Sequence, residues 1–260
     1  MLCGSMLAIK VKKSYPETDE SGQFWHATMM NKDTRLRAAR GIAKTETEAS
    51  VEVFHTLKRR GHPEAPPPTI SDGWGGIDDA MIEVYGKVPD YPGWGRPFTR
   101  KRPLPGWKYL QMVKQREDGR VVGIKLRAIF GQKSNLVKCL GTSTAYIERS
   151  HLTARLFNSR LTRKTLAFSK SVDMYRSSVI WEDAYYNLVR PHKSLRLEIT
   201  SDPSRRWLPR TPAVASKLTD HIWTVKELLL FRIPPPEWRP PKHRGRLSQA
   251  EKALIARWCS

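Results

Sequence analysis

ISDGWGGIDDAMIEVY (residues 70–85) carries the strongest fold signal of this 260-residue chain. Its short apolar start predicts a buried β-strand that ends at Asp72, and residues 77–85 predict an α-helix. A strand followed directly by a helix indicates an α/β fold, in which sites collect at the carboxyl ends of strands. Asp72 is therefore a candidate site residue. The same SDG sequence is also typical of a plain turn in which the aspartate bonds its own backbone.

The segments on either side extend this pattern. Five of them are strand-like: residues 6–13, 23–30, 35–43, 108–115 and 120–130. Residues 45–60 predict a helix, because Thr45 and Glu48 have the spacing of a capping box ahead of an apolar stripe. The Pro- and Gly-rich residues 86–106 predict a loop, and helical patterns predominate from Gly141 onward.

The composition points to a polyanionic partner. The formal net charge is +21, a self-repulsion that favours nucleic acid as the partner and a membrane surface second. Cys3, Cys139 and Cys259 are too scattered for a disulfide framework or a zinc site. No run approaches the roughly 20 apolar residues that a membrane helix requires, and the N-terminus lacks a signal-peptide pattern. We expect a soluble intracellular protein.

A second segment combines many cations with one acid. TAYIERSHLTARLFNSRLTRKTLAFSKS (residues 144–171) has six arginines and lysines but only Glu148 as a carboxylate. In a helix, Glu148, His151 and Arg155 share one face. A lone carboxylate among cations is often only an ion-pair partner. The same arrangement also suits metal-assisted chemistry on DNA, where carboxylates hold Mg²⁺ and cations hold phosphates.

This segment closely resembles the glutamate helix of DDE-type transposases of the insertion-sequence-one family. ISDGWGGIDDAMIEVYGKVP (residues 70–89) is similar to the second-aspartate motif of that family, and YNLVRPHKSLR (186–196) and PRTPAVASKLTDHIWTVKELL (209–229) are also similar to it. The likeness covers roughly residues 20–230. It implies a ribonuclease-H-like fold, a mixed sheet flanked by helices, with an insertion before the glutamate helix and a helical C-terminal region.

The resemblance implies a role for each matching residue. Asp72 and Glu148 would be the second and third ligands of catalytic Mg²⁺ or Mn²⁺, in an enzyme that cuts and joins DNA at element ends. The residues expected to contact DNA are Arg149, His151, Arg155, Arg160, Arg163, Lys164 and His192. Supporting roles fit His151 and Arg155 equally well, and a helix stop fits His192 better. The active form is expected to be a homo-oligomer in the prokaryotic cytoplasm, associated with the nucleoid and not with a membrane.

The first acid of the family pattern is missing. In the family it precedes a basic pair by some eight residues, and counting back from Lys12 and Lys13 leads to Cys3, Gly4 and Ser5. Three functions therefore stay open: an active transposase, a catalytically dead DNA-binding remnant, and a basic RNA-binding protein.

The domain organisation follows from the same patterns. Residues 1–200 are predicted to form the catalytic core, with residues 86–133 as an inserted loop and strand pair. Residues 201–233 are predicted as a helical extension. Residues 234–260 are predicted as a proline-rich basic tail with a short helix.

Overall fold

The computed structural model describes residues 2–9, 24–91, 93–162, 166–199, 206–232 and 248–258, and confirms the α/β class. Six strands form one sheet: β1 (Leu2–Ile9), β2 (Phe24–Asn31), β3 (Arg37–Ala43), β4 (Thr69–Asp72), β5 (Tyr109–Glu117) and β6 (Arg120–Phe130). The larger helices of the first part of the chain are α1 (Glu46–Arg59), α2 (Ile77–Tyr85), α3 (Lys133–Leu140), α4 (Ala145–Phe157) and α5 (Val172–Ala184). The remaining elements are β7 (Leu197–Glu198), β8 (Trp207–Leu208), α6 (Pro212–Ala215), α7 (Val225–Leu230) and α8 (Gln249–Trp258).

The main sheet is mixed. Its strand order is β3-β2-β1-β4-β5-β6. Strands β1, β2 and β3 form an antiparallel meander, β4 runs parallel to both β1 and β5, and β6 returns antiparallel to β5. Strands β1, β3, β4 and β5 therefore all point toward one edge of the sheet, which we call the carboxyl edge. Asp72, the last residue of β4, lies at this edge.

Helices cover both faces of the sheet, because successive strand residues point to opposite faces. On one face, α1 and α2 supply Phe54 and Met81 to a core that includes Tyr109 of β5. On the other face, α3 and α4 pack a second core around Ile70 and Leu110. The residue types at consecutive positions of β4 and β5 thus set which side chains meet which helices.

Helix α1 begins where the sequence predicts. The Thr45 side chain accepts from the Glu48 backbone amide, and the Glu48 carboxylate accepts from the Thr45 amide, which completes the predicted capping box. Because α1 follows β3 directly, its first residue, Glu46, lies near the carboxyl edge.

One prediction in the first half of the chain is wrong in its bounds. Strand β1 begins at Leu2 rather than at residue 6, because Leu2 and Cys3 pair with β4 and β2 despite the low strand propensity of Gly4 and Ser5. The predicted end of that strand, residues 10–13, lies outside the described residues.

The strand pair predicted within residues 86–133 is present as β5 and β6. The loop over residues 86–106 has only an isolated bridge between Lys87 and Arg102 in its described part. The strand pair after it, however, belongs to the main sheet, because β5 pairs in parallel with β4 from Thr69↔Tyr109 onward.

The chain divides into two compact units, Met1–Trp223 and Thr224–Ser260, so the break falls between the predicted boundaries at 200 and 233. In the first unit, α5 continues as a π-helical turn over Tyr185–Val189 and stops at Arg190, ahead of Pro191, as predicted. In the second unit, Thr224 forms a capping box that starts α7. None of the helices in the described part of the chain has the length and apolar content needed to cross a membrane.

Candidate functional site

Asp72 ends strand β4 on the face that carries α3 and α4. It lies opposite Met112 in the β4–β5 ladder, two residues after Ile70, which packs in the core beneath those helices. The backbone amide of Trp74 donates to the Asp72 carboxylate. The Oδ1 atom of Asp72 is buried and has no hydrogen-bond partner among the described residues. Burial therefore raises the pKa of Asp72 above its usual value, against the lowering by the Trp74 amide and the charge of Lys114.

Glu148 lies in the first turn of α4 and meets a cation from the sheet. The Lys114 Nζ atom is 2.5 Å from Glu148 Oε1, and the Thr144 hydroxyl donates to the same oxygen at 3.2 Å. Lys114 follows Met112 by two residues in β5, so it projects from the same face as Asp72. Both partners of the ion pair are partly exposed, so the pair contributes little to stability.

Asp72 and Glu148 are brought to the same side of the sheet. The negative charge of Glu148 raises the pKa of Asp72, whereas the ammonium of Lys114 lowers it. The two predicted acids therefore lie within electrostatic range of each other, with Lys114 as a shared neighbour. Strand β4, strand β5 and helix α4 each contribute one of these three groups.

Glu46 is a third carboxylate at the carboxyl edge that the sequence did not single out. Burial, and then the negative charge of Asp72, raise the pKa of Glu46 to about 7. Its position at the start of α1 follows from the capping box at Thr45. The sequence signal for this site residue is its place: Glu46 follows soon after β3, a strand that runs parallel to β4.

The register between β1 and β4 shows which residue of β1 stands beside Asp72. Cys3 of β1 pairs with Ile70 of β4, two residues before Asp72, and Ser5 follows Cys3 by two residues in the same strand. Ser5, which pairs with Thr28, thus comes level with Asp72. Ser5 is one of the three positions, Cys3 to Ser5, at which the resemblance leads us to expect an acid, and it is not an acid.

The donor chemistry of the site fits a hard divalent cation in part. Carboxylate oxygens are the protein ligands that Mg²⁺ prefers, and the buried Oδ1 of Asp72 lacks a partner in the described structure. No group of three His, Cys, Asp or Glu residues within the described ranges is placed to hold a metal ion. Asp72 and Glu148 therefore offer part of a ligand set, with Lys114 now bonded to one of them.

A buried charge network holds α4 against the sheet just beyond Glu148. Arg37 of β3 donates to the Ser150 hydroxyl at 2.8 Å and to the Ser150 carbonyl at 3.0 Å. The same guanidinium is 2.5 Å from Glu182 and 3.0 Å from Asp183, both in α5. Arg40 makes two hydrogen bonds to Asp183. The network fixes α4 two residues after Glu148, so it determines where that carboxylate stands.

His151 is buried rather than exposed, which argues against the predicted DNA contact at this residue. The side chain is buried on the inner face of α4 with Ile147, Ser150 and Ala154. Burial, and then the charges of nearby arginines including Arg40, lower the pKa of His151 to about 3. The ring is therefore neutral at ordinary pH. Because His151 follows Glu148 by three residues, the sequence predicted that the two share a face of the helix. In the structure Glu148 is exposed, whereas His151 lies on the buried face of α4.

His192 also lacks a charge to offer to phosphate. Burial, and then the charge of Arg190, lower the pKa of His192 to about 4. Its ring lies edge-on to Tyr186, with 4.5 Å between the ring centroids. The structural role that the sequence favoured fits this packing.

The remaining predicted DNA contacts differ in exposure. Arg149, next to Glu148, is exposed, and Arg155 is half-buried. Arg160 is half-buried and donates to the Ser169 hydroxyl at 3.0 Å. Arg163 and Lys164 lie outside the described residues. Arg149 is therefore the member of the set that is most open to a ligand near the acids.

No family model matches the chain, and no curated protein or solved structure matches it.

Proposed function

We propose that the chain is the core of a DDE-type transposase of the insertion-sequence-one family, which binds DNA and uses Asp72 and Glu148 in cleavage and strand transfer at element ends. The observation that carries the proposal is the position of these acids. One ends β4 and the other begins α4, on the same side of the sheet and next to the same lysine. These are the positions at which the family pattern has its second and third acids.

The sheet topology supports a ribonuclease-H-like fold for the core. The resemblance expects three strands, a helix, a fourth strand with the second acid, and later a helix with the glutamate. The order β3-β2-β1-β4-β5, with an antiparallel meander and two parallel neighbours, follows that sequence of elements.

The chemistry that Mg²⁺ or Mn²⁺ supplies when bound in such a site is activation of a water or 3′-hydroxyl and stabilisation of the leaving oxygen. Asp72 and Glu148 would hold the ion through carboxylate oxygens. Lys114 would release Glu148 and turn toward a phosphate, which its partial exposure permits. Arg149, exposed beside Glu148, would contact the DNA backbone. The raised pKa of Asp72 fits a buried carboxylate for which the bound cation would be the partner.

The proposal extends to the setting of the protein. DNA is its partner, as the net charge of +21 favours. A homo-oligomer acts on paired element ends, and the protein works in the prokaryotic cytoplasm beside the nucleoid.

A catalytically dead DNA-binding remnant is the second candidate. The register that brings Ser5 level with Asp72 favours it, since the position of the first acid then carries no carboxylate. The two candidates share the fold and the DNA surface and differ only in cleavage.

Nicking of supercoiled DNA in Mg²⁺ or Mn²⁺ separates the candidates. We expect the wild-type chain to nick DNA and the variants Asp72→Asn and Glu148→Gln to lose this activity. The matched control is Glu83→Gln on α2, which removes an exposed carboxylate that pairs with Lys101. This variant should keep the nicking activity. DNA binding without nicking in the wild type would instead assign the remnant, and the absence of both would refute the proposal.

A further inference from the structure

Strands β5 and β6 extend beyond the end of their neighbour β4. The last residue of β4, Asp72, pairs with Met112 of β5. From there the two strands continue alone, from Val113↔Lys125 to Glu117↔Arg120. We call residues 113–125 the ribbon.

The ribbon closes in a tight two-residue turn. Asp118 and Gly119 both have positive φ, 47° and 78°, as two-residue hairpin turns require. The twist of such a turn matches that of the strands, so the ribbon is a preformed hairpin rather than a loose loop.

The ribbon is strongly cationic. It has four cations, Lys114, Arg116, Arg120 and Lys125, against two acids at its tip. Lys114 pairs with Glu148, whereas the other three cations form no ion pair within the described part of the chain. In the core, by contrast, Arg37 is bonded to two carboxylates and to Ser150. With Lys114 paired to Glu148, three cations stand against the two acids, so the ribbon keeps a net positive charge.

Aliphatic side chains stand among these cations. Val121, Val122 and Ile124 are each at least half exposed, at 50%, 57% and 55%. Exposed aliphatic side chains among cations suit a ligand that has both charged groups and apolar edges. The DNA groove offers phosphates at its walls and thymine methyl groups on its floor.

The base of the ribbon adjoins the two acids. Lys114 bonds to Glu148, and Val113 lies against the backbone just after Asp72: a Cβ placed on Gly73 would come within 3.0 Å of Val113 Cγ2. A strand of DNA held by the ribbon would therefore pass beside the carboxyl edge.

We propose that the ribbon is a DNA-binding arm that enters the groove of a duplex and holds its phosphates beside Asp72 and Glu148. A two-stranded ribbon is one of the elements that the major groove admits. Pairing of β6 with the same strand of a second copy would bring like charges together, which disfavours that occupant. The assignment rests on the proposed function only in taking DNA as the ligand.

Fluorescence anisotropy of a labelled DNA duplex, titrated at several salt concentrations, tests the arm. The ribbon variant is Arg116→Gln with Arg120→Gln. The matched control is Arg59→Gln with Arg60→Gln, because these arginines lie at the end of α1, away from its start near the carboxyl edge. Loss of two phosphate contacts should lower the slope of log K against log salt by about 1.8, and weaken binding roughly tenfold to a hundredfold at moderate salt. The control variant should keep most of the salt dependence and most of the affinity of the wild type.

Each outcome decides a separate question. If the wild type binds DNA and the two double variants bind alike, the arm is wrong and the proposed function survives. If the wild type does not bind DNA at all, both fail. If the ribbon variant changes only the oligomeric state, measured by sedimentation, the ribbon is a protein interface and the arm is again overturned.

Discussion

Two regions of the molecule pair carboxylates with cations and do so in opposite ways. Beneath α4, Arg37 is buried and its guanidinium is bonded to Glu182, Asp183 and Ser150. At the carboxyl edge, the pair of Lys114 and Glu148 is partly exposed. The first region is a closed network with no place for a ligand. The second keeps a weak ion pair beside a buried carboxylate oxygen that lacks a partner in the described structure, which suits exchange of the lysine for another cation.

The largest effect should come from breaking the closed network. Arg37→Met leaves the buried Glu182 with only Arg40, 3.7 Å away, and removal of one partner of a buried pair costs about 3–5 kcal/mol of unfolding free energy. Urea denaturation measures this cost. Arg176→Met, which breaks a more exposed pair with Glu52, is the control and should cost under about 1 kcal/mol. Equal losses would mean that the two regions do not differ in this way.

The next effect is a loss of stability in acid. The pKa of His151 is lowered to about 3 in the folded chain, from an ordinary 6.5. Below pH 6.5 the unfolded chain binds the proton and the folded chain does not, so stability falls as pH decreases, by about 1.4 kcal/mol per unit.

Replacement of this histidine checks the slope. His151→Gln should flatten the dependence of unfolding free energy on pH between about 6.5 and 3. His55→Gln, at an exposed position of α1, should not. Parallel curves for all three proteins would argue against a buried neutral ring at position 151.

Glu46 should have the opposite sign at the carboxyl edge. Its pKa is raised from 4.5 to about 7, so the folded chain holds the proton more tightly in that window and stability falls as pH rises through it. Glu46→Gln should therefore gain stability relative to the wild type between pH 5 and 8, measured by thermal unfolding. A constant difference across that range would contradict the raised pKa.

The smallest effect on stability should come from Lys114. Lys114→Met should change the unfolding free energy by under about 1 kcal/mol, because its pair with Glu148 is partly exposed. The same change should increase the rise in melting temperature that Mn²⁺ produces, since the ammonium no longer competes for the carboxylate. Lys101→Met, which breaks the exposed pair with Glu83, is the control. If Mn²⁺ raises the melting temperature of Lys114→Met no more than that of the wild type, Lys114 does not compete with the cation for Glu148.

Local signals in the sequence predicted much of the fold. The capping box at Thr45, the strand ending at Asp72 and the helix over residues 77–85 all lie where their patterns place them. Each depends on neighbours a few residues away. Helix α3 was missed because it is short and buries only Leu136 and Leu140, too few for a clear period.

Features that depend on distant contacts could not be predicted. The membership of β5 in the main sheet follows from its pairing with β4, which no local pattern specifies. Whether His151 faces the core or the surface depends on the rotation of α4, which Arg37 sets through Ser150. Likewise, Glu46 comes near Asp72 only because β3 and β4 point toward the same edge.

Calorimetric titration of Mn²⁺ is the most direct test of the central claim, that Asp72 and Glu148 share a divalent cation. We expect the wild type to bind Mn²⁺, Asp72→Asn and Glu148→Gln each to weaken binding by about tenfold or more, and the double variant to lose less than the sum of the two in free energy, since one shared ion couples the residues. Unchanged binding in either single variant, or strictly additive losses, would contradict the claim.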